Sequence, residues 1–175
     1  MKIAIVIGHH EKSKGAFSNF FGLAEFDFYN KVAEKLNGVS IFRHDSSIAS
    51  YSSRILDTAT RINKTEFDLV VELHFNSFSN PNANGCETLF FERSELGRKY
   101  ADIFSKKVNE CTGISLRNQG LKPLSKGDRG YASVYHTKAP TILIEPFFGS
   151  NDSDCKKIGT IDNMAHIIND FLNSL

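Results

Sequence analysis

The sequence predicts an α/β fold, a single domain with a mostly parallel β-sheet flanked by helices on both faces. Three observations predict it. The runs "KIAIVI" (2–7), "FDLVVELHF" (67–75) and "PTILIEPF" (140–147) are short and dense in Val, Ile and Leu, as central strands covered on both sides are. Stretches with helical periodicity separate them, and strands alternating with helices give parallel βαβ units. The length of 175 residues suits one domain built on one core.

The elements follow in order. The first strand (2–7) runs directly into His9 and His10, and Gly15 and a polar turn come next. In "EFDFYNKVAEKL" (25–36), Tyr29, Val32, Ala33 and Leu36 fall on one helix face. "VSIFRH" (39–44) is a weaker strand. "YSSRILDTATRIN" (51–63) is helical through Ile55, Ala59 and Ile62. The strand at 67–75 leads into a polar, turn-rich loop, "SFSNPNANG" (77–85). "CETLFFE" (86–92) is a second weaker strand. The helix at 94–113 has Ser94 to cap its start and Gly113 to end it. "LRNQGLKPLSKGDRGYAS" (116–133) reads as a long connection rich in glycine and basic residues, and long connections in compact domains are often functional. After the strand at 140–147, the helix 162–175 aligns Met164, Ile167, Ile168 and Leu172 on one stripe.

Composition narrows the function. A formal net charge of +1 argues against a nucleic-acid partner, which would require a basic surface. No apolar run approaches the ~20 residues that span a bilayer, so no membrane insertion is expected. The N-terminus reads as a strand and not as an export signal, which places synthesis in the cytoplasm. Cys86, Cys111 and Cys155 are far apart, odd in number and without a CxxC spacing. They read as reduced thiols, and none has a setting that would activate a nucleophile.

The chemistry converges at strand ends. The three apolar strands end in His9, His74 and Glu145. In parallel βα units the carboxyl ends of neighbouring strands open into one crevice. Two imidazoles and a carboxylate in one crevice are the donor set of a zinc site, with bonds of ~2.0–2.2 Å and one position open for water. Glu25 opens the first helix, where a carboxylate also complements the helix dipole. "GHHEKSKG" lacks the GK[ST] ending of a phosphate loop and is not read as one.

In this order, "GHHEKSKGA", "AEFDFYNKVA", "ELHFNSF" and "LIEPFFGSNDSD" resemble the four motifs of zinc-dependent N-acetylmuramoyl-L-alanine amidases of the third amidase family. "NQGLK" (118–122) and "TKAPTILIE" (137–145) match weaker segments of that family, and the likeness covers nearly the whole chain. The resemblance implies a mixed sheet flanked by helices. It implies Zn2+ held by His9, Glu25 and His74, with Glu145 as the catalytic glutamate that does not ligate the metal. It also implies cleavage of the amide between muramic acid and L-Ala in bacterial peptidoglycan. An endolysin, made in the cytoplasm and acting on the cell wall after release, reconciles that substrate with the missing export signal. The whole of 1–175 is then one catalytic domain, a monomer with no separate wall-binding domain.

Several residues keep two readings. Glu72 lies on the same strand face as Val70, His74 and Asn76. It is the third ligand in place of Glu25, or a carboxylate that with Asn76 stands behind a zinc-binding imidazole, or one half of an ion pair with Arg or Lys. His10, adjacent to His9 on an extended chain, points away from it and is expected to support the site from behind. Arg117, Lys122, Lys126 and Arg129 either meet carboxylates of the stem peptide or are solvated surface charge. His44 and His136 have no partner spacing, and His166 is expected to be structural. The rival functions are a zinc peptidase cutting within the stem peptide and a silent wall-binding module on the same fold.

Overall fold

Side-chain alternation divides each central strand between two cores. A computed structural model describes residues 1–175. Its elements are β1 (Ile3–Ile7), β2 (Phe17–Ser18), β3 (Leu23–Ala24), α1 (Glu25–Ala33), β4 (Val39–Arg43), α2 (Tyr51–Ile62) and β5 (Leu69–Leu73). They continue with β6 (Cys86–Phe91), α3 (Glu95–Thr112), β7 (Leu116–Leu124), α4 (Tyr131–Tyr135), β8 (Thr141–Glu145), α5 (Asp152–Ile158) and α6 (Ile161–Asn173).

The sheet has six strands in the order β4-β1-β5-β8-β6-β7. β4, β1, β5 and β8 are mutually parallel, while β6 pairs antiparallel with β8 and parallel with β7. The sheet is therefore mixed and mostly parallel. Ile3, Ile5 and Ile7 of β1, Leu69, Val71 and Leu73 of β5, and Ile142 and Ile144 of β8 face the larger core. Phe28 and Tyr29 of α1, Phe104 of α3 and Phe171 of α6 close over them. The intervening residues face the other way: Ala4, Val6 and Val70 meet Ile62 of α2, and Leu89 and Leu143 meet Val134 of α4. No helix is long and apolar enough to cross a membrane.

The caps act locally. Ser94 accepts from Gly97 N–H at 3.0 Å, and Gly113 ends α3 with φ 69°, the left-handed turn that glycine takes without steric cost. Three parts of the chain differ from expectation, the helix α5 among them. The connection 116–133 contains the nine-residue edge strand β7 and the short helix α4. A tiny hairpin of β2 and β3 precedes α1. The three cysteines are free.

Candidate functional site

The site forms where β1, β5 and β8 end. Gly8 follows β1 and donates its N–H to the Leu73 carbonyl at 3.1 Å. A Cβ on Gly8 would lie 2.3 Å from Cε1 of His74, so the missing side chain lets that imidazole lie against the end of β1. His9 then adopts φ 64°, a left-handed conformation rare outside glycine. Its Nε2 lies 3.0 Å from Oε2 of Glu25. Gly15 seals this corner: a Cβ there would lie 2.6 Å from the His9 ring and 2.7 Å from Oε2 of Glu25.

Glu25 is buried in the first turn of α1. Its Oε1 accepts from Phe75 N–H at 3.0 Å and faces Nδ1 of His74 at 2.8 Å. The His9 and His74 rings meet edge to face, with centroids 4.9 Å apart. Donor atoms of His9, Glu25 and His74 all lie within 4.8 Å of one another. Metal bonds of ~2.0–2.2 Å set such atoms roughly 3.5 Å apart, a small adjustment from the present spacings. Two imidazole nitrogens and one carboxylate oxygen are suited to a divalent transition metal, and the missing side chains of Gly8 and Gly15 make room for these groups. The residues therefore fit a metal.

The charges agree with that reading. Burial pushes the Glu25 carboxyl up, but hydrogen bonds to His74 and His9 outweigh it and hold it at about 2. Burial likewise opposes ionisation of Glu72, while His44 and His74 hold it well below the usual carboxylate range. Burial lowers His74, yet Glu25 and Glu72 raise it to about 10. Without metal, a protonated His74 pairs with two buried carboxylates and offsets part of their charge, the role a bound cation would otherwise play.

Glu72 and Glu25 occupy different sides of His74. Glu25 touches both imidazoles, whereas Glu72 Oε1 accepts from Nε2 of His74 at 2.9 Å and from the Ser133 hydroxyl at 3.2 Å. His44 Nε2 lies a further 3.8 Å from the same oxygen. His10 does not point away by strand alternation, because the left-handed turn at His9 breaks that alternation. It is buried and borders the same cleft, and its backbone pairs with Ser13.

Glu145 ends β8 opposite Glu87 of β6. Asn76 bridges the two carboxylates, donating through Nδ2 to Glu145 Oε2 at 2.7 Å and to Glu87 Oε1 at 3.0 Å. Glu87 also takes Lys122 at 3.2 Å and Arg117 at 3.4 Å. Burial of Glu87 is outweighed chiefly by Lys122, so this carboxyl stays below its ordinary value. At Glu145 burial dominates; the His74 charge opposes it, the Glu87 charge adds to it, and the carboxyl rises to about 7.

His9, Glu25, Glu72, His74, Asn76 and Glu145 line one cleft of about 780 Å³, with Glu87 behind its wall. Lys122 and Arg129 border it. Arg117 does not: it pairs with Glu87 and lies over the Phe148 ring at 5.1 Å. Lys126 and His136 also lie outside the wall. His166 is exposed and 3.5 Å from Asp170, a surface residue and not a structural one. Sequence reasoning missed Glu87, Ser133 and the place of His44. Glu87 lies in a strand run that was visible, but only the antiparallel β6–β8 register puts it beside Glu145.

Comparison with known proteins agrees with this geometry. The family described as N-acetylmuramoyl-L-alanine amidase matches residues 3–175. The amidase LytC of Bacillus subtilis (strain 168) is 24% identical over 161 residues, covering 86% of this chain; the chain spans only 30% of LytC. An amidase structure from Clostridium difficile 630 aligns with TM-score 0.76 at 21% identity, over 99% of this chain and 95% of that one. The catalytic domain of the CD27L endolysin, which targets Clostridia difficile, aligns with TM-score 0.77 at 23% identity, over 99% and 97%. These structural likenesses establish the shared fold, and with a family match that runs almost end to end, the chain belongs to the N-acetylmuramoyl-L-alanine amidase family.

Proposed function

We propose that this protein is a zinc-dependent N-acetylmuramoyl-L-alanine amidase that cleaves the bond between the lactyl group of muramic acid and L-Ala in bacterial peptidoglycan. The observation that carries the reading is the convergence of His9, Glu25 and His74 within 4.8 Å, beside a carboxyl raised to about 7. His9, Glu25 and His74 would hold the ion. When bound, zinc supplies a Lewis acid toward the scissile carbonyl.

The chain's own residues do the proton work. Glu145 accepts the proton of the attacking water and returns it to the departing L-Ala nitrogen. A carboxyl poised near the working pH can do both. Asn76 fixes one Glu145 oxygen, which leaves the other to face the reactants. Help of this kind is typically worth ~10²–10⁴-fold. In this reading the protein acts as an endolysin, a monomer made in the cytoplasm that reaches the wall after release.

The test measures zinc stoichiometry, activity and released products together. The reading requires one zinc per chain, loss of activity with chelator, return with zinc, and new N-terminal L-Ala beside intact muramic acid. Cleavage inside the stem peptide would identify a peptidase. Wall binding without any cleavage, with zinc present, would identify a silent module.

A further inference from the structure

The cleft continues past the metal ligands into an arm between α2 and α4 that the proposed proton chemistry does not use. Arg54, Arg129, Tyr51, His10, His44 and Ser133 border this arm. Arg54 uses Nη1 on the carbonyls of Ile48 and Ala49, at 2.7 and 3.3 Å, and meets no carboxylate. Arg129 is exposed, and no carboxylate lies within ion-pair distance of it.

The acids nearby are already engaged. Glu72 takes His74 and Ser133, and Asp128 takes the backbone N–H and hydroxyl of Ser125. One ring nitrogen in this wall, Nδ1 of His10, is buried with no partner, whereas Nε2 of His44, also without a hydrogen bond, faces Glu72 Oε1 at 3.8 Å. Unmet buried polar atoms are rare and point to an absent ligand. Burial and the Glu72 charge raise the Tyr51 phenol, while a hydrogen bond to Ser133 and then the charges of Arg129 and Arg54 lower it.

We infer that this arm is an anion subsite that takes a free carboxylate of the stem peptide, with Arg54 and Arg129 as its cations and His10 and His44 in its wall. The inference rests on the proposed substrate. In a stem peptide whose second residue is D-isoglutamate, the free α-carboxylate lies only a few bonds beyond the scissile nitrogen. Glu72, bonded to both His74 and Ser133, joins the metal corner to this arm, and both line one continuous cleft. An arginine–carboxylate pair of this kind adds charge-assisted hydrogen bonds that the neutral amide cannot match.

The experiment compares MurNAc-L-Ala-D-isoglutamate with its isoglutamine form on the zinc-loaded protein. The carboxylate form should have a kcat/KM about tenfold higher. That ratio should collapse toward one in Arg54→Gln/Arg129→Gln. Arg129→Gln alone should lower it without touching the fold, since Arg129 holds no other group. Lys106→Gln, on α3 and paired only with Asp102, should keep the wild-type ratio. Equal rates for the two compounds in wild type, or a ratio unmoved by both arginine substitutions, overturns the subsite. Failure to cleave either compound overturns the amidase reading instead. Calorimetric affinities of the two compounds for wild type and the arginine variants then decide the subsite by the same ratio.

Discussion

His74 donates through Nε2 to Oε1 of Glu72 at 2.9 Å while its Nδ1 faces Glu25. A ring whose Nε2–H is committed to a carboxylate presents Nδ1 as the free donor, in a fixed orientation. Glu72→Ala should therefore weaken zinc binding by about 10–100-fold without removing a ligand. Competition with a zinc chelator of known affinity measures this. Glu72→Gln, which can still accept from Nε2, should recover part of the loss; equal loss in both variants would refute a hydrogen-bond role.

Glu145→Gln should abolish turnover while leaving zinc stoichiometry intact, because no metal-ligand atom is removed. The same substitution tests the buried charge. The folded, metal-free protein holds the Glu145 proton up to about pH 7, whereas an ordinary carboxyl releases it near 4.5. The folded state thus binds more protons between those values, and stability falls as pH rises through the window. Glu145→Gln should remove that fall, making the variant more stable than wild type at pH 8 by roughly 2–3 kcal/mol and little different at pH 4. Denaturant unfolding of chelated protein at both pH values measures it.

Activity should decline as pH falls and Glu145, raised by burial, takes up its proton and ceases to be a base. The Glu87 charge helps to hold that carboxyl up. Glu87→Gln should move the acid limb of the pH–rate profile to lower pH, the more so because Lys122 and Arg117 lose their partner. A shift to higher pH would contradict the charge arrangement.

Gly15→Ala should disrupt the metal corner. Its φ of +79° disfavours any side chain, and the new Cβ would meet both the His9 ring and the Glu25 carboxylate. We expect a loss of about 1–2 kcal/mol from backbone strain alone, with zinc affinity reduced further. Metal titration and a melting curve separate the two effects. Gly22→Ala, also at positive φ but with open space around it, should lower stability and leave zinc affinity unchanged.

Much of this protein was legible in its residue order. Runs dense in Val, Ile and Leu marked β1, β5 and β8, because a strand covered on both faces is apolar at nearly every position. Ser94 and Gly113 marked the ends of α3 through local backbone chemistry. His9, His74 and Glu145 were conspicuous as polar residues terminating those strands. β7 was not legible: it carries Arg117, Asn118, Gln119, Gly120 and Pro123, a composition that only an exposed edge strand tolerates.

By itself, then, the sequence determined an α/β domain with polar chemistry at its strand ends, since periodicity and burial are properties of short segments. Only the tertiary structure decided that Glu25 meets both imidazoles, that Glu87 stands beside Glu145, and that Glu72 backs His74. Those pairings depend on strand order, register and the left-handed turn at His9, which bring together groups remote along the chain, and no local pattern encodes the distance between them.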